Sequence, residues 1–292
     1  MQTPTSTNMI NENPILSIIV PTIGRIKELD ELLLSLSNCK ISVGYEILIV
    51  DQNKDIILDD ILAKYTALPL KHHKVNFSGL SKAKNYGVTL ASGDYVSFPD
   101  DDCKIFENTY NLAFEILEKN NADMVFGKCI DEQGKDSVLN FRKDEYTLNK
   151  DNMVGGFVEA TVVCKKSIFE AFQYDENMGA GTFFGSGEGF DWMYRILTQS
   201  TFKAYYSPEI LFYHPQVILE KGNLASLNRT FKYSCGTGYL CRKHNFLKKY
   251  HKRLILVKLA NFGFYFFNKE KYNYYSAELY GLKTGYLFSK YY

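Results

Sequence analysis

No Cys-x-x-Cys pair occurs in this sequence; its six cysteines, Cys39, Cys103, Cys129, Cys164, Cys235 and Cys241, are scattered. That spacing excludes a zinc ribbon and a disulfide framework, and it predicts reduced thiols in a cytoplasmic protein. No apolar run approaches the about 20 residues that a membrane-spanning helix needs. The best candidate, residues 254–267, is interrupted by Lys258 and Asn261. Residues 1–13 have neither a basic start nor an apolar stretch, so they read as a disordered polar terminus and not as a secretory leader. There is no internal repeat and no recognisable nucleic-acid-binding module. Net charge is nearly absent as well, +1 over 292 residues.

What is present is unevenly spread. Residues 221–292 hold 14 Lys or Arg against two acids, Glu270 and Glu278, a balance of +12 that leaves the other 220 residues at −11. The same stretch has 18 of the 43 Phe and Tyr residues. A basic, aromatic tail on an acidic body points to contact with an anionic surface, membrane or nucleic acid. With 46% hydrophobic and 23% charged residues, the chain can bury an ordinary globular core. Its length allows one large α/β domain, residues 14–220, and a helical appendage, residues 221–292.

Short apolar runs alternate with helical spacing through the first half. Residues 15–20 (ILSIIV) and 45–50 (YEILIV) read as buried strands, as do 70–75, 95–98 and 124–129. Between them Ile26, Leu29, Leu32, Leu33 and Leu36 recur at helical spacing, and 56–65, 81–91 and 107–119 read as further helices. This alternation predicts a mostly parallel, doubly wound sheet with helices on its faces. Further strands are expected at 157–164, 202–206 and 210–213, with a helix over 190–197. Five glycines in 179–189 mark a segment expected to be mobile. Ligands bind such sheets beyond the carboxyl ends of strands, and three strands here end in polar groups: Pro21-Thr22, Asp51, and Asp100-Asp101-Asp102. Three adjacent carboxylates repel one another unless a cation or hydrogen-bond donors offset the charge, and Mg²⁺ and Mn²⁺ favour such oxygens.

The stretch 79–102 (GLSKAKNYGVTLASGDYVSFPDDD) resembles the core of the inverting family 2 glycosyltransferases of bacterial surface-polysaccharide type. SIIVPTIGR is similar to that family's first strand and nucleotide loop, LIVDQN to its second, and GEGFDWMYRIL to its acidic helix start. Together these cover residues 15–214. The resemblance implies a GT-A (Rossmann-like) fold and transfer of a sugar from a nucleotide-diphosphate donor, a UDP-sugar, to a carbohydrate or lipid-linked oligosaccharide acceptor. It implies that Pro21, Thr22 and Arg25 line the nucleotide pocket and that Asp51 accepts from the base. Gly79 and Asp101 would belong to the donor site, with Lys84 at the phosphates and Asp100 at the ribose or the neighbouring loop. Asp102 and His214 would bind Mn²⁺ or Mg²⁺. The family presents two adjacent acids at the helix start, the second often serving as base; here Gly189 takes the second place. Glu188 is therefore the favoured base, with Asp191 the other candidate, although Asp191 and Arg195 are also spaced as a helical ion pair. Trp192 reads as core.

Three other readings stand beside this one. A sugar nucleotidyltransferase also sets metal carboxylates on an α/β sheet, but PTIGR has one glycine where that class has a G-x-G-x-R loop. The loss of the second acid is compatible with a non-catalytic nucleotide- or carbohydrate-binding module. A nucleic-acid-binding protein has only the basic tail in its favour. That tail is read first as an amphipathic element holding the protein at the inner face of an anionic membrane, and otherwise as helices that pack on the acidic body or on a second copy of the chain.

Overall fold

The structure, a computed structural model, describes residues 14–55, 58–216 and 223–291. The expected disordered start, the beginning of the helix at 56 and the boundary near 220 fall outside the described residues. Strand β1 (Leu16–Thr22) is buried along its whole length, as its unbroken apolar run requires of a strand covered on both faces. Helix α1 (Ile26–Ser37) turns Leu29, Leu32, Leu33 and Leu36 inward. β2 (Tyr45–Asp51) pairs parallel with β1. The next helix is shorter than its pattern: α2 (Asp59–Leu62) tightens into a 3₁₀ turn, where the Tyr65 hydroxyl donates to Asp30 at 2.8 Å. β3 (Leu70–Lys74) joins β2, and α3 (Leu80–Leu90) crosses back over the sheet, Gly87 letting it press on Ile19 and Val50. β4 (Tyr95–Ser97) then lies parallel to β1 on its other side.

The parallel, Rossmann-like part ends there. After β5 (Lys104–Ile105) and α4 (Thr109–Lys119) come β6 (Met124–Ile130) and β7 (Tyr146–Thr147). The expected strand over 157–164 is instead a 3₁₀ turn, Glu159–Thr161, followed by the short β8 (Val163–Lys165). Thr161 locks that turn: its hydroxyl donates to Val158 O at 2.9 Å and accepts from Gly127 N at 3.2 Å. β8 runs antiparallel between β4 and β6. Helices α5 (Ser167–Ala171) and α6 (Glu188–Gln199) lead to β9 (Ala204–Tyr213), one ten-residue strand where two were expected. It passes through Pro208 because the register with β6 shifts around Gly127, a bulge that removes the need for a proline N–H. The sheet order is β3-β2-β1-β4-β8-β6-β9-β5, mixed in its second half.

The basic tail forms three helices: α7 (Leu224–Lys243), α8 (Leu247–Tyr265) and α9 (Lys269–Phe288). α7 and α9 touch backbone to backbone, since a side-chain carbon on Gly238, Gly281 or Gly285 would overlap a carbonyl of the facing helix. α7 docks on the acidic body: Gly185 N donates to Lys232 O at 3.0 Å, and Lys243 reaches Asp175 at 2.6 Å. α8 keeps an apolar face in solvent, with Ile255, Leu259, Phe262 and Phe266 more than half exposed. Among the described residues no helix is long and apolar enough to cross a membrane.

Candidate active site

A cleft of about 590 Å³ opens beyond the carboxyl ends of β1, β2 and β4. Pro21, Arg25, Gly79, Lys84, Asp100, Asp101, Asp102, Glu188 and His214 line it, so the fold brings together most of the residues singled out from sequence. Thr22 and Asp51 are buried just behind. Both Asp51 oxygens have partners within the protein: Oδ1 accepts from Asn53 N at 2.9 Å and Nδ2 at 2.8 Å, and Oδ2 lies 3.0 Å from His72 Nε2. Asn53 in turn accepts from Gly24 N at 2.6 Å. The carboxylate thus ties the loop after β2 to the loop after β1, and Gln52 is the β2-loop residue in the cleft wall. His72, one of two adjacent histidines on β3, carried no sequence signal for this partnership.

One wall is built for anions. α3 opens at Gly79, whose φ of +127° is a backbone shape suited to glycine and whose N–H donates to Gln52 Oε1 at 2.8 Å. The start of α3 faces the cleft with its amide dipole, and Lys84 follows one turn later. Lys84 is 2% exposed, its Nζ 3.8 Å from Asp100 and 5.6 Å above the Tyr174 ring.

The opposite wall is acidic. Arg25 spans Asp101 (2.9 Å) and Asp102 (2.5 Å). Burial pushes the Asp101 carboxyl up to about 6 against the pull of Arg25. Asp100, Asp102 and His214 each offer one atom within 4.8 Å of the others. His214 Nδ1 lies 2.8 Å from Pro215 O, and a carbonyl only accepts, so Nδ1 carries a proton and Nε2 is the ring nitrogen that faces Asp102 (3.6 Å) and Asp100 (3.9 Å). Asp102 Oδ1 is buried without a hydrogen-bond partner. Two carboxylates and an imidazole nitrogen, with one carboxylate oxygen orphaned among them, fit a divalent cation, whose ligands at about 2.1 Å stand some 3–4 Å apart. Asp100, expected at the ribose, faces this group as well.

The acids at the start of α6 separate cleanly. Asp191 is fully buried away from the cleft, held by Arg195 (2.9 Å), Lys243 (2.9 Å) and His244 (2.8 Å). Burial opposes its charge, but the bonds from His244 and Lys243 outweigh it and hold the carboxyl down at about 2. It is a clasp between α6 and α7, and its geometry does not suit a base. Glu188 follows Gly187, which has φ of +93°, and its carboxyl lies under Gly179. Burial pushes it up to about 7, and the neighbouring Glu159 charge adds to the rise. Glu159, from the 3₁₀ turn, also lines the cleft and was not singled out from sequence. Its one signal there is a lone acid inside the apolar run 157–164. The glycines of 179–189 serve close approach: a side-chain carbon on Gly179 would sit 2.8 Å from Ser81 Oγ. Trp192 is core, donating to Phe172 O at 2.7 Å.

A parallel half-sheet that ends in an acidic cluster, continued by a mixed half-sheet that brings up a histidine, is the GT-A architecture of nucleotide-sugar-dependent transferases. The family model for glycosyl transferase family 2 matches residues 17–178, and the chain belongs to that family. A GalNAc(5)-diNAcBac-PP-undecaprenol beta-1,3-glucosyltransferase of Campylobacter jejuni is 28% identical over 176 residues, 56% of this chain and 55% of the relative. The poly(ribitol-phosphate) beta-N-acetylglucosaminyltransferase TarP of Staphylococcus aureus is 28% identical over 116 residues, 38% of this chain and 36% of the relative. The chain thus spans about half or less of the length of these curated relatives. Residues 1–349 of S. aureus TarS, crystallised with UDP-GlcNAc, superpose with a TM-score of 0.62 at 16% identity, over 94% of this chain and 91% of that one.

Proposed function

We propose that this transferase moves a sugar from a UDP-sugar to a carbohydrate acceptor carried on a lipid, with inversion and with Mn²⁺ or Mg²⁺ bound by Asp100, Asp102 and His214. The observation that carries the reading is the buried, unpartnered Asp102 Oδ1 facing His214 Nε2 in a cleft walled by an α-helix N-terminus. Bound there, a divalent cation would offset charge on the donor's diphosphate. The chain's own groups do the rest. Arg25, Lys84 and the amides at the start of α3 receive the phosphates. Lys84 supplies charge without the bidentate fork of an arginine. Pro21, Thr22 and Gln52 bound the nucleoside pocket, which the Asp51–Asn53–Gly24 bonds hold in shape. The acceptor's proton passes to a carboxylate of the acidic corner formed by Glu188 and Glu159.

The donor class is supported by the TarS complex with UDP-GlcNAc, and the lipid-linked acceptor by the undecaprenol-linked substrate in the name of the Campylobacter relative. Membership of a glycosyl transferase family stands against the nucleotidyltransferase alternative. The exposed apolar face of α8, flanked by Lys252, Arg253 and Lys258, suits the headgroup layer of an anionic membrane, which would place the cleft near such an acceptor. The direct test is metal dependence. EDTA should abolish UDP release from the donor, Mn²⁺ or Mg²⁺ should restore it, and Asp102→Ala should lose activity while keeping its fold. Full turnover in EDTA contradicts the metal assignment for Asp102 and His214 together.

A further inference from the structure

The start of α6 has a gap where its family carries a second acid, because position 189 is glycine. The gap is filled. A side-chain carbon built on Gly189 falls within 2.5 Å of Cγ, Cδ and Oε1 of Glu159. The Glu159 carboxyl therefore occupies the space from which an acid at 189 would project, and any side chain at 189 would displace it. Glycine at 189 and glutamate at 159 are two halves of one arrangement.

Resting on the glycosyl-transfer reading above, we propose that Glu159 is the catalytic carboxylate that takes the acceptor hydroxyl's proton, supplied from the 3₁₀ turn in place of the acid α6 lacks. Its location favours this over Glu188. The donor cleft adjoins a second cavity of about 600 Å³, and Asp100, Val138, Glu159, His214, Arg229 and Tyr233 line both. A base for this reaction has to touch the acceptor while standing beside the donor's anomeric carbon, and the boundary between two cavities is where such a group must be. Glu188 lines only the donor cleft, its carboxyl covered by Gly179. Burial also favours a proton on Glu188, which makes it the poorer acceptor of another. Glu159 is half-buried, and its turn is closed by Val162 N donating to Glu159 O at 3.3 Å and fixed to β6 through Thr161. A carboxylate used as a base gains from being held in place in this way.

The step balances without a further reactant. The hydroxyl proton passes to the Glu159 carboxylate, and an oxygen electron pair forms the bond to the anomeric carbon. The bond from that carbon to the diphosphate oxygen breaks, and its electron pair leaves with the nucleoside diphosphate. With water as acceptor the same step is donor hydrolysis, which is measurable without knowing the natural acceptor.

The experiment measures UDP release, with Mn²⁺ present, from whichever UDP-sugar the unaltered protein hydrolyses fastest, and UDP affinity by calorimetry as a check on fold and donor site. Glu159→Gln should lower kcat about 10²-fold or more with donor KM and UDP affinity unchanged. Glu159→Ala should be as slow. The double variant Glu159→Ala/Gly189→Asp should recover about tenfold or more over Glu159→Ala, because an acid is returned to the same space from the helix side. Wild-type turnover by Glu159→Gln overturns the proposal. So does a loss that the double variant fails to relieve while still binding UDP, which would make Glu159 a support for the cleft wall. If the unaltered protein releases UDP from no donor, the glycosyl-transfer reading falls and takes this inference with it.

Discussion

Replacing Asp191 by asparagine tests whether the second acid in the first turn of α6 is structural. Its carboxylate is fully buried among Arg195, Lys243 and His244, with the carboxyl held at about 2 against an ordinary 3.8. That difference corresponds to roughly 2 kcal/mol of folding stability. Asparagine also leaves the Arg195 and Lys243 cations without this carboxylate, and breaking a buried ion pair costs about 3–5 kcal/mol. Arg195 and Lys243 keep some access to water, at 18% and 28% exposure, so the lower end applies. The expected loss is about 3 kcal/mol, or a fall in Tm of roughly 5–10 °C. Urea unfolding followed by the fluorescence of Trp192, the single tryptophan and the next residue in α6, measures it. The sign with pH is fixed: a depressed folded pKa gives stability that is complete above about pH 4 and lost as pH falls through about 2, so the gap between variant and unaltered protein should close on acidification. Turnover of the folded variant should stay near normal. An Asp191→Asn protein of unchanged stability and no turnover would refute the reasoning and make Asp191 the base.

Two further outcomes are expected. Gly285→Ala places a carbon against the Cys235 carbonyl in the α7–α9 contact and should cost about 1–3 kcal/mol, read as a lowered Tm, whereas Gly263→Ala on the open side of α8 should not destabilise the protein. Sedimentation with vesicles should show binding to anionic lipid above neutral lipid, weakened by salt, at about 1 kcal/mol for each Lys or Arg engaged. Phe262→Ser/Phe266→Ser should reduce it, and equal absence of binding to both lipids would contradict the membrane reading and leave the tail as a packing or oligomerisation element.

The parallel half of the fold was legible because buried parallel strands leave continuous apolar runs and their crossover helices leave 3.6-residue spacing, both local signals. The acidic strand end and His214 were legible through the order of motifs around them. The second half was harder for particular reasons. Residues 157–164 have the composition of a strand, but a hydroxyl of Thr161 bonded to Gly127, 34 residues away, folds them into a turn. Pro208 suggested two strands where a bulge across the sheet allows one. The bonds that Asp51 makes to Asn53 and His72, which hold the loop after β2, left no mark in the sequence. Glu159 had no motif at all; only the overlap with Gly189 gives it meaning, and a missing side chain reports on a partner in space that sequence spacing does not contain.

The central claim is that the cleft consumes a UDP-sugar. Incubating the protein with Mn²⁺ and a panel of nucleotide sugars, and measuring the nucleotide released, tests it directly. The account predicts UDP release from at least one UDP-sugar, abolished by EDTA and by Asp102→Ala. Turnover of a nucleoside triphosphate with a sugar phosphate to give pyrophosphate, or no release from any donor by a folded protein that binds Mn²⁺, would contradict it.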